Sequence, residues 1–279
     1  MKFGLLYEME TPRPWNALSE YNTYWEALAQ IELADRIGID YVWEVEHHFL
    51  EEYSHSSAPE VFYGAVSQRT KNIRIAHGVR LLPFNFNNPI KVAEQAAVLD
   101  IMSNGRMELG TGRSTTAQEL DGFGVDYDRT RAEVREALDI IVKAWTDEIL
   151  EYDGKLIKVP PRRVVPKPIQ KPHPPIVVGG TSELALKRTV RYGDGWYGIA
   201  RSMDEARNLI VRLRELERAS SRNRPVEITL SLRTGHPLTA GEVKELADLG
   251  VERTLAGLPL RALDGDEVTR FRDEVMAKV

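Results

Sequence analysis

Cysteine is missing from this chain altogether, which excludes disulfides, thiolate nucleophiles and cysteine-based metal sites. Long apolar runs are missing too: none approaches the roughly 20 residues that a membrane-spanning helix needs. The first residues, Met1-Lys2-Phe3-Gly4, open straight into a strand with no signal-peptide pattern, so a cytoplasmic protein is the default expectation. Dense Lys/Arg runs are absent and the formal net charge is −5, which argues against a nucleic-acid partner. No Gly-x-Ser-x-Gly elbow is present, so acyl chemistry at a serine is not expected. Metal-binding signatures are lacking as well. There is no His-Glu-x-x-His and no His-x-His on the first strand, and His55, His77, His173 and His236 have no ligand spacing. No metal site is expected.

What is there is ordinary in bulk and informative in order. The chain has 279 residues, 42% hydrophobic and 28% charged, enough for a sizeable core. Apolar alternation and β-branched runs predict strands at 2–7, 40–45, 73–79, 106–109, 176–178, 195–197, 226–232 and 253–256. Helical spacing predicts helices at 24–37, 59–69, 89–101, 130–145, 183–192, 204–220, 240–249 and 266–277. Gly38 stops the first helix, and Pro89 stands at the first turn of the third. Seven of the 15 prolines fall between Pro160 and Pro175, so that stretch is read as an extended excursion across the surface. Eight strand–helix alternations match a (β/α)8 TIM barrel with a Pro-rich extended insertion before the fifth strand. A doubly wound sheet also alternates, but no dinucleotide fingerprint is present. No linker interrupts the pattern, so 1–279 is read as one domain.

In such a barrel, chemistry gathers where strands end and βα-loops begin. One such end is Gly110-Thr111-Gly112-Arg113-Ser114. Glycines leave the backbone bare, and an arginine adds a forked cationic donor, which suits a phosphate. An ordinary tight strand-to-helix loop is the plainer alternative. A second end is Val178-Gly179-Gly180-Thr181-Ser182-Glu183, a strand running through two glycines into a helix start. Free N–H groups and the helix dipole converge there, and simple N-capping by Thr181 or Ser182 is the alternative. The third is Glu46-His47-His48. Side chains alternate along a strand, so only one histidine of the two can face the mouth, where an imidazole suits proton transfer; two packed or hydrogen-bonded surface histidines are the plainer alternative. Together these ends describe a protein that grips a phosphate-bearing cofactor and lets the cofactor react.

Residues 42–49 (Val-Trp-Glu-Val-Glu-His-His-Phe), 88–95 (Asn-Pro-Ile-Lys-Val-Ala-Glu-Gln) and 103–113 resemble the bacterial luciferase-like flavin monooxygenases. Gly179-Gly180-Thr181-Ser182 and the later Arg191-Tyr192-Gly193-Asp194-Gly195-Trp196 are similar to the same family. The resemblance implies a TIM barrel that holds reduced FMN non-covalently at its C-terminal mouth. There the flavin reacts with oxygen and a small organic substrate, and a separate flavin reductase supplies the reduced form. It makes His47 the active-site histidine, which protonates the flavin peroxide or acts as a base on the substrate, with Glu46 beside it among the cofactor contacts. It makes Arg113, next to Gly112, the phosphate arginine. Val178, Gly179, Gly180, Thr181 and Ser182 wrap the phosphate, and Gly78-Val79 carries a non-prolyl cis peptide beneath the ring system. Gly180 stands where the luciferases have an acidic residue. The loop after the seventh strand, 233–240, is short where the luciferases carry a long lid, so light emission is not expected. From Gly179 onward the chain also looks like the branch that transfers hydride with a deazaflavin coenzyme. A flavin-binding barrel without catalysis is a further alternative. Barrels of this type commonly pair, and Phe62, Tyr63 or the helix at Pro89 would supply a homodimer interface.

Overall fold

A computed structural model describes residues 1–257 and 266–279. The first half of the chain runs β1 (Lys2–Tyr7), α1 (Ser19–Ile37), β2 (Tyr41–Glu44), α2 (Pro59–Arg69), β3 (Arg74–His77), β4 (Arg80–Leu81), α3 (Pro89–Met102), β5 (Met107–Gly112), α4 (Ala117–Gly122) and α5 (Thr130–Thr146). The second half runs β6 (Leu150–Asp153), β7 (Lys158–Arg162), β8 (Ile176–Gly179), α6 (Glu183–Tyr192), β9 (Gly195–Ala200), α7 (Met203–Arg218), β10 (Glu227–Leu232), α8 (Ala240–Asp248), β11 (Arg253–Gly257) and α9 (Asp266–Glu274).

Eight of these strands form a closed parallel ring in the order β1-β2-β3-β5-β8-β9-β10-β11, with β11 pairing back onto β1. This is a TIM barrel, as the alternation predicts. Crossover helices cover its outside, so its strands are apolar on both faces. The inside is filled by Leu6, Tyr41, Trp43, Ala76, Val177, Tyr197 and Leu255. At the N-terminal end an ion-pair network closes the floor: Glu108 accepts from Arg74 at 2.7 Å and from Arg253 at 2.5 Å, and Arg253 also pairs with Glu227. The C-terminal mouth is left for chemistry.

Local signals explain the helix ends. Pro59 and Pro89 occupy first-turn positions, where a missing N–H costs nothing. Asn88 accepts from the Ile90 N–H at 2.9 Å, and Thr239 with Glu242 forms a reciprocal capping box on α8. Gly38 ends α1 with a left-handed φ of 91°.

Four expectations are corrected. The third strand does not reach Val79: it stops at His77, and the chain turns through a cis Gly78–Val79 peptide into the short β4. The fourth strand, read as 106–109, is β5 and runs to Gly112, so Gly110 and Gly112 lie inside the strand and not in a loop after it. The Pro-rich excursion contains an antiparallel hairpin, β6–β7. Pro160 and Pro161 sit on its second strand, in a two-stranded sheet whose outer edge demands no N–H. Phe62 and Tyr63 are buried, and the Tyr63 hydroxyl donates to the Ala76 carbonyl at 2.6 Å, so neither supplies an interface.

Candidate active site

The two histidines that follow β2 part company. The His47 Nδ1 lies 2.7 Å from Glu119 Oε1, and its Nε2 lies 3.7 Å from Glu8 Oε2. His48 turns the other way. It stacks on Phe86 at 6.2 Å, meets Phe123 edge-on at 4.7 Å and approaches Glu46 at 3.5 Å. Glu119 comes from α4, is fully buried, and also accepts from the Ser114 hydroxyl at 2.5 Å and the His48 N–H at 3.0 Å. Burial pushes its carboxyl upward, but these donors outweigh burial and hold it below the usual range. An ionised Glu119 leaves Nδ1 as a proton donor and aims Nε2 at the mouth. The proton's position follows from this pairing.

Glu46 is enclosed instead. It is 3% exposed and accepts from the Leu81 N–H at 2.7 Å and from Asn87 at 2.8 Å. Arg80 adds an ion pair at 3.5 Å. Its carboxylate braces the β2 and β4 ends, so its side chain is engaged within the protein.

On the opposite side of the mouth, β5 and β8 are neighbours, with Thr111 paired to Val178. The two glycine-bordered strand ends therefore leave the barrel side by side. Between them sits Val79. A Cβ on Gly112 would collide with Val79 Cγ2, and one on Gly179 would stand 2.6 Å from Val79 Cγ1. A Cβ on Gly110 would run into the His77 carbonyl. The bare backbone expected to admit a ligand at these three positions admits the chain's own atoms. Val178 is fully buried in the core. Gly180, with φ of 118°, donates its N–H to the Tyr197 carbonyl at 3.0 Å and accepts from Trp196 Nε1 at 2.8 Å. The N–H of Gly180 is therefore spent on the barrel. Thr181 is exposed, and Ser182 caps α6 by accepting from the Ala185 N–H at 3.3 Å.

Arg113 reaches away from β5 along the mouth. It donates to the Tyr127 hydroxyl at 2.9 Å and to Thr130 at 3.3 Å, and lies 4.6 Å over the Tyr127 ring. Two more guanidiniums share its field. Burial pulls the Arg188 charge down, and so do Arg113 and Arg131, which stand close enough to repel it. Among the described residues none of the three has an ion-pair partner. Positive charge without an ion-pair partner among the described residues gathers there, a field that attracts anions.

Sequence reasoning missed Glu119, Arg131, Arg188, Tyr53 and Arg233 as site residues. Glu119 rides a six-residue helix too short to show a period. Arg131 and Arg188 look like solvated helix charges until the barrel closes.

A family model for luciferase-like monooxygenases matches residues 1–270. The chain belongs to the luciferase-like monooxygenase family. The oxygenase component of a flavin-dependent trigonelline monooxygenase from Acinetobacter baylyi is 31% identical over 195 residues, 69% of this chain and 52% of that protein. Monooxygenase RslO1 from Streptomyces bottropensis superposes with a TM-score of 0.84 at 22% identity, over 99% of both chains. An F420-dependent secondary alcohol dehydrogenase bound to an F420–acetone adduct superposes at 0.79 with 17% identity, over 100% of this chain and 99% of that one. The two structural likenesses speak for the fold.

Proposed function

We propose that this protein is a monooxygenase that uses non-covalent reduced FMN and oxygen on a small organic substrate, and that a flavin reductase delivers the FMN. The observation that carries this reading is the Arg113–Arg131–Arg188 group: three guanidiniums with no ion-pair partner among the described residues suit a phosphate monoester, which brings close to two negative charges. These residues fit the group, with Arg113 and the Thr181–Ser182 turn as its holders and Val79 as the floor. Reduced FMN, when bound, supplies two electrons to oxygen, so that one oxygen atom enters the substrate and the other leaves as water. His47 moves a proton at Nε2, while Glu119 keeps the Nδ1 proton in place. Glu8, Tyr53 and Arg233 border a cavity of about 850 Å³ with apolar walls that include Leu6, Leu232 and Leu255, room for a small organic molecule. The trigonelline enzyme's designation as an oxygenase component supports a partner reductase. The chain is read as one domain, working in the cytoplasm.

Titrating the protein with FMN and following fluorescence quenching tests the phosphate assignment. Arg113→Ala and Arg188→Ala should each weaken FMN at least tenfold while riboflavin, which lacks the phosphate, is bound equally by all three proteins. Equal FMN affinity in the variants removes the support. A second reading has its own support in the likeness to the F420-dependent dehydrogenase and in the stretch from Gly179 onward, which resembles the deazaflavin branch: hydride transfer with a deazaflavin coenzyme, which needs no oxygen. Turnover with each coenzyme under strict anaerobiosis separates the two. Bound flavin with no turnover in either case would point to a non-catalytic barrel.

A further inference from the structure

His47 is flanked on both edges, and the second edge carries a device of its own. Glu8, at the end of β1, turns one oxygen to Arg233, which donates to Oε1 at 2.8 Å from just beyond β10. Its other oxygen, Oε2, is buried, has no hydrogen-bond partner among the described residues, and stands 3.7 Å from His47 Nε2. We propose that Glu8 and Arg233 form a positioning pair that sets how readily the outer nitrogen of His47 holds a proton. The inference rests on reading His47 as the proton-transfer group.

The physics is a competition for one carboxylate. A negative oxygen close to Nε2 favours the imidazolium. Arg233 draws the same carboxylate's charge to itself and also opposes a second positive charge nearby. Burial works against the Arg233 guanidinium, yet its hydrogen bonds to Glu8 and Tyr53 outweigh burial and hold its charge in place. The other groups around the ring are accounted for. Glu119 on α4 holds the inner nitrogen, and Tyr53, from the loop after β2, meets the ring edge-on at 5.7 Å while its hydroxyl interacts with both Glu8 and Arg233. His48 and Glu46 face each other on the far side of the strand end. Glu8 is thus the carboxylate at the outer edge, and Arg233 is its ion-pair partner. Because the two residues act with opposite sign, removing either should move His47 in opposite directions. A merely structural role for the pair predicts no such antisymmetry.

The test is ¹⁵N NMR of the imidazoles in the full chain without flavin, with the His47 signals assigned by their loss in His47→Asn. At the pH where His47 is half protonated in the unaltered protein, Glu8→Gln should lower the ratio of protonated to neutral His47 several-fold. Arg233→Met should raise it several-fold, Arg233→Gln should do the same, and Glu8→Asp should restore the original ratio. Ratios that stay put in both Glu8→Gln and Arg233→Met, or that move the same way, overturn the proposal. FMN titrations run alongside keep the two readings apart. If FMN fails to bind the unaltered protein, the flavin assignment falls while the NMR ratios still decide this one.

Discussion

At the residue scale the site is held by contacts that tolerate little change. Glycine at 112 is required by Val79, whose methyl group occupies the space a Cβ would need. Gly112→Ala should weaken FMN binding at least tenfold, and Val79→Ala in the same chain should recover part of the loss, as FMN titration of the single and double variants will show. Recovery would mean that the steric conflict, and not the lost glycine flexibility, is the cause. Glu119 acts through His47. In Glu119→Gln the neutral amide no longer requires Nδ1 to donate, so kcat should fall by about 100-fold, the scale of misplaced acid–base catalysis, with little change in FMN affinity. Steady-state kinetics beside flavin titration checks the split. His47 was legible in the sequence because its neighbours spell a strand end. Its two carboxylates were not, since Glu8 and Glu119 are 111 positions apart in the numbering (119 − 8) and meet only when the ring closes.

Elements follow their local signals well. Pro at helix starts, Gly38 at a helix end and apolar spacing placed nearly every helix that packs against the barrel. The capping box on α8, Thr239 with Glu242, closes that helix start. Thr239→Ala removes one acceptor and exposes Glu242 to a lost partner, which should cost about 1 kcal/mol, read as a lower urea midpoint at unchanged slope. The elements that escaped notice are those whose identity is tertiary. Gly110 and Gly112 read as a loop because glycine disfavours strands. They are strand because His77 and Val79 crowd β5 too closely for any other residue. The hairpin of β6 and β7 was hidden by proline, which an open edge accepts.

Over the whole molecule, buried charge couples stability to composition and pH. Arg253 and Glu108 are 3% and 2% exposed and face each other at the barrel floor. Arg253→Met leaves the buried Glu108 with Arg74 alone and takes the ion-pair partner from Glu227, which should cost up to about 3–5 kcal/mol, measurable as a drop in the denaturation midpoint. Glu44 is a second buried acid. Burial raises its pKa well above the ordinary value, against the Ser56 hydrogen bond. A pKa raised on folding stabilises at low pH, and that contribution is lost as pH climbs through the folded value. The unaltered protein should therefore lose ground to Glu44→Gln as pH rises from about 5 to about 8. Urea midpoints of both proteins across that range give the comparison, and parallel curves would rule out a protonated Glu44.

The amino-acid order alone determined the alternation, and hence the barrel, because strand and helix periods are local properties of short segments. It also marked the strand ends where glycine, arginine and histidine gather. Only the closed ring decided which of those groups share a space. Parallel strands bring distant segments together through long crossovers, so pairings such as His47 with Glu8 and Glu119, or Arg113 with Arg188, exist in no window of sequence. The same closure turned two glycines from a ligand's seat into a place for Val79.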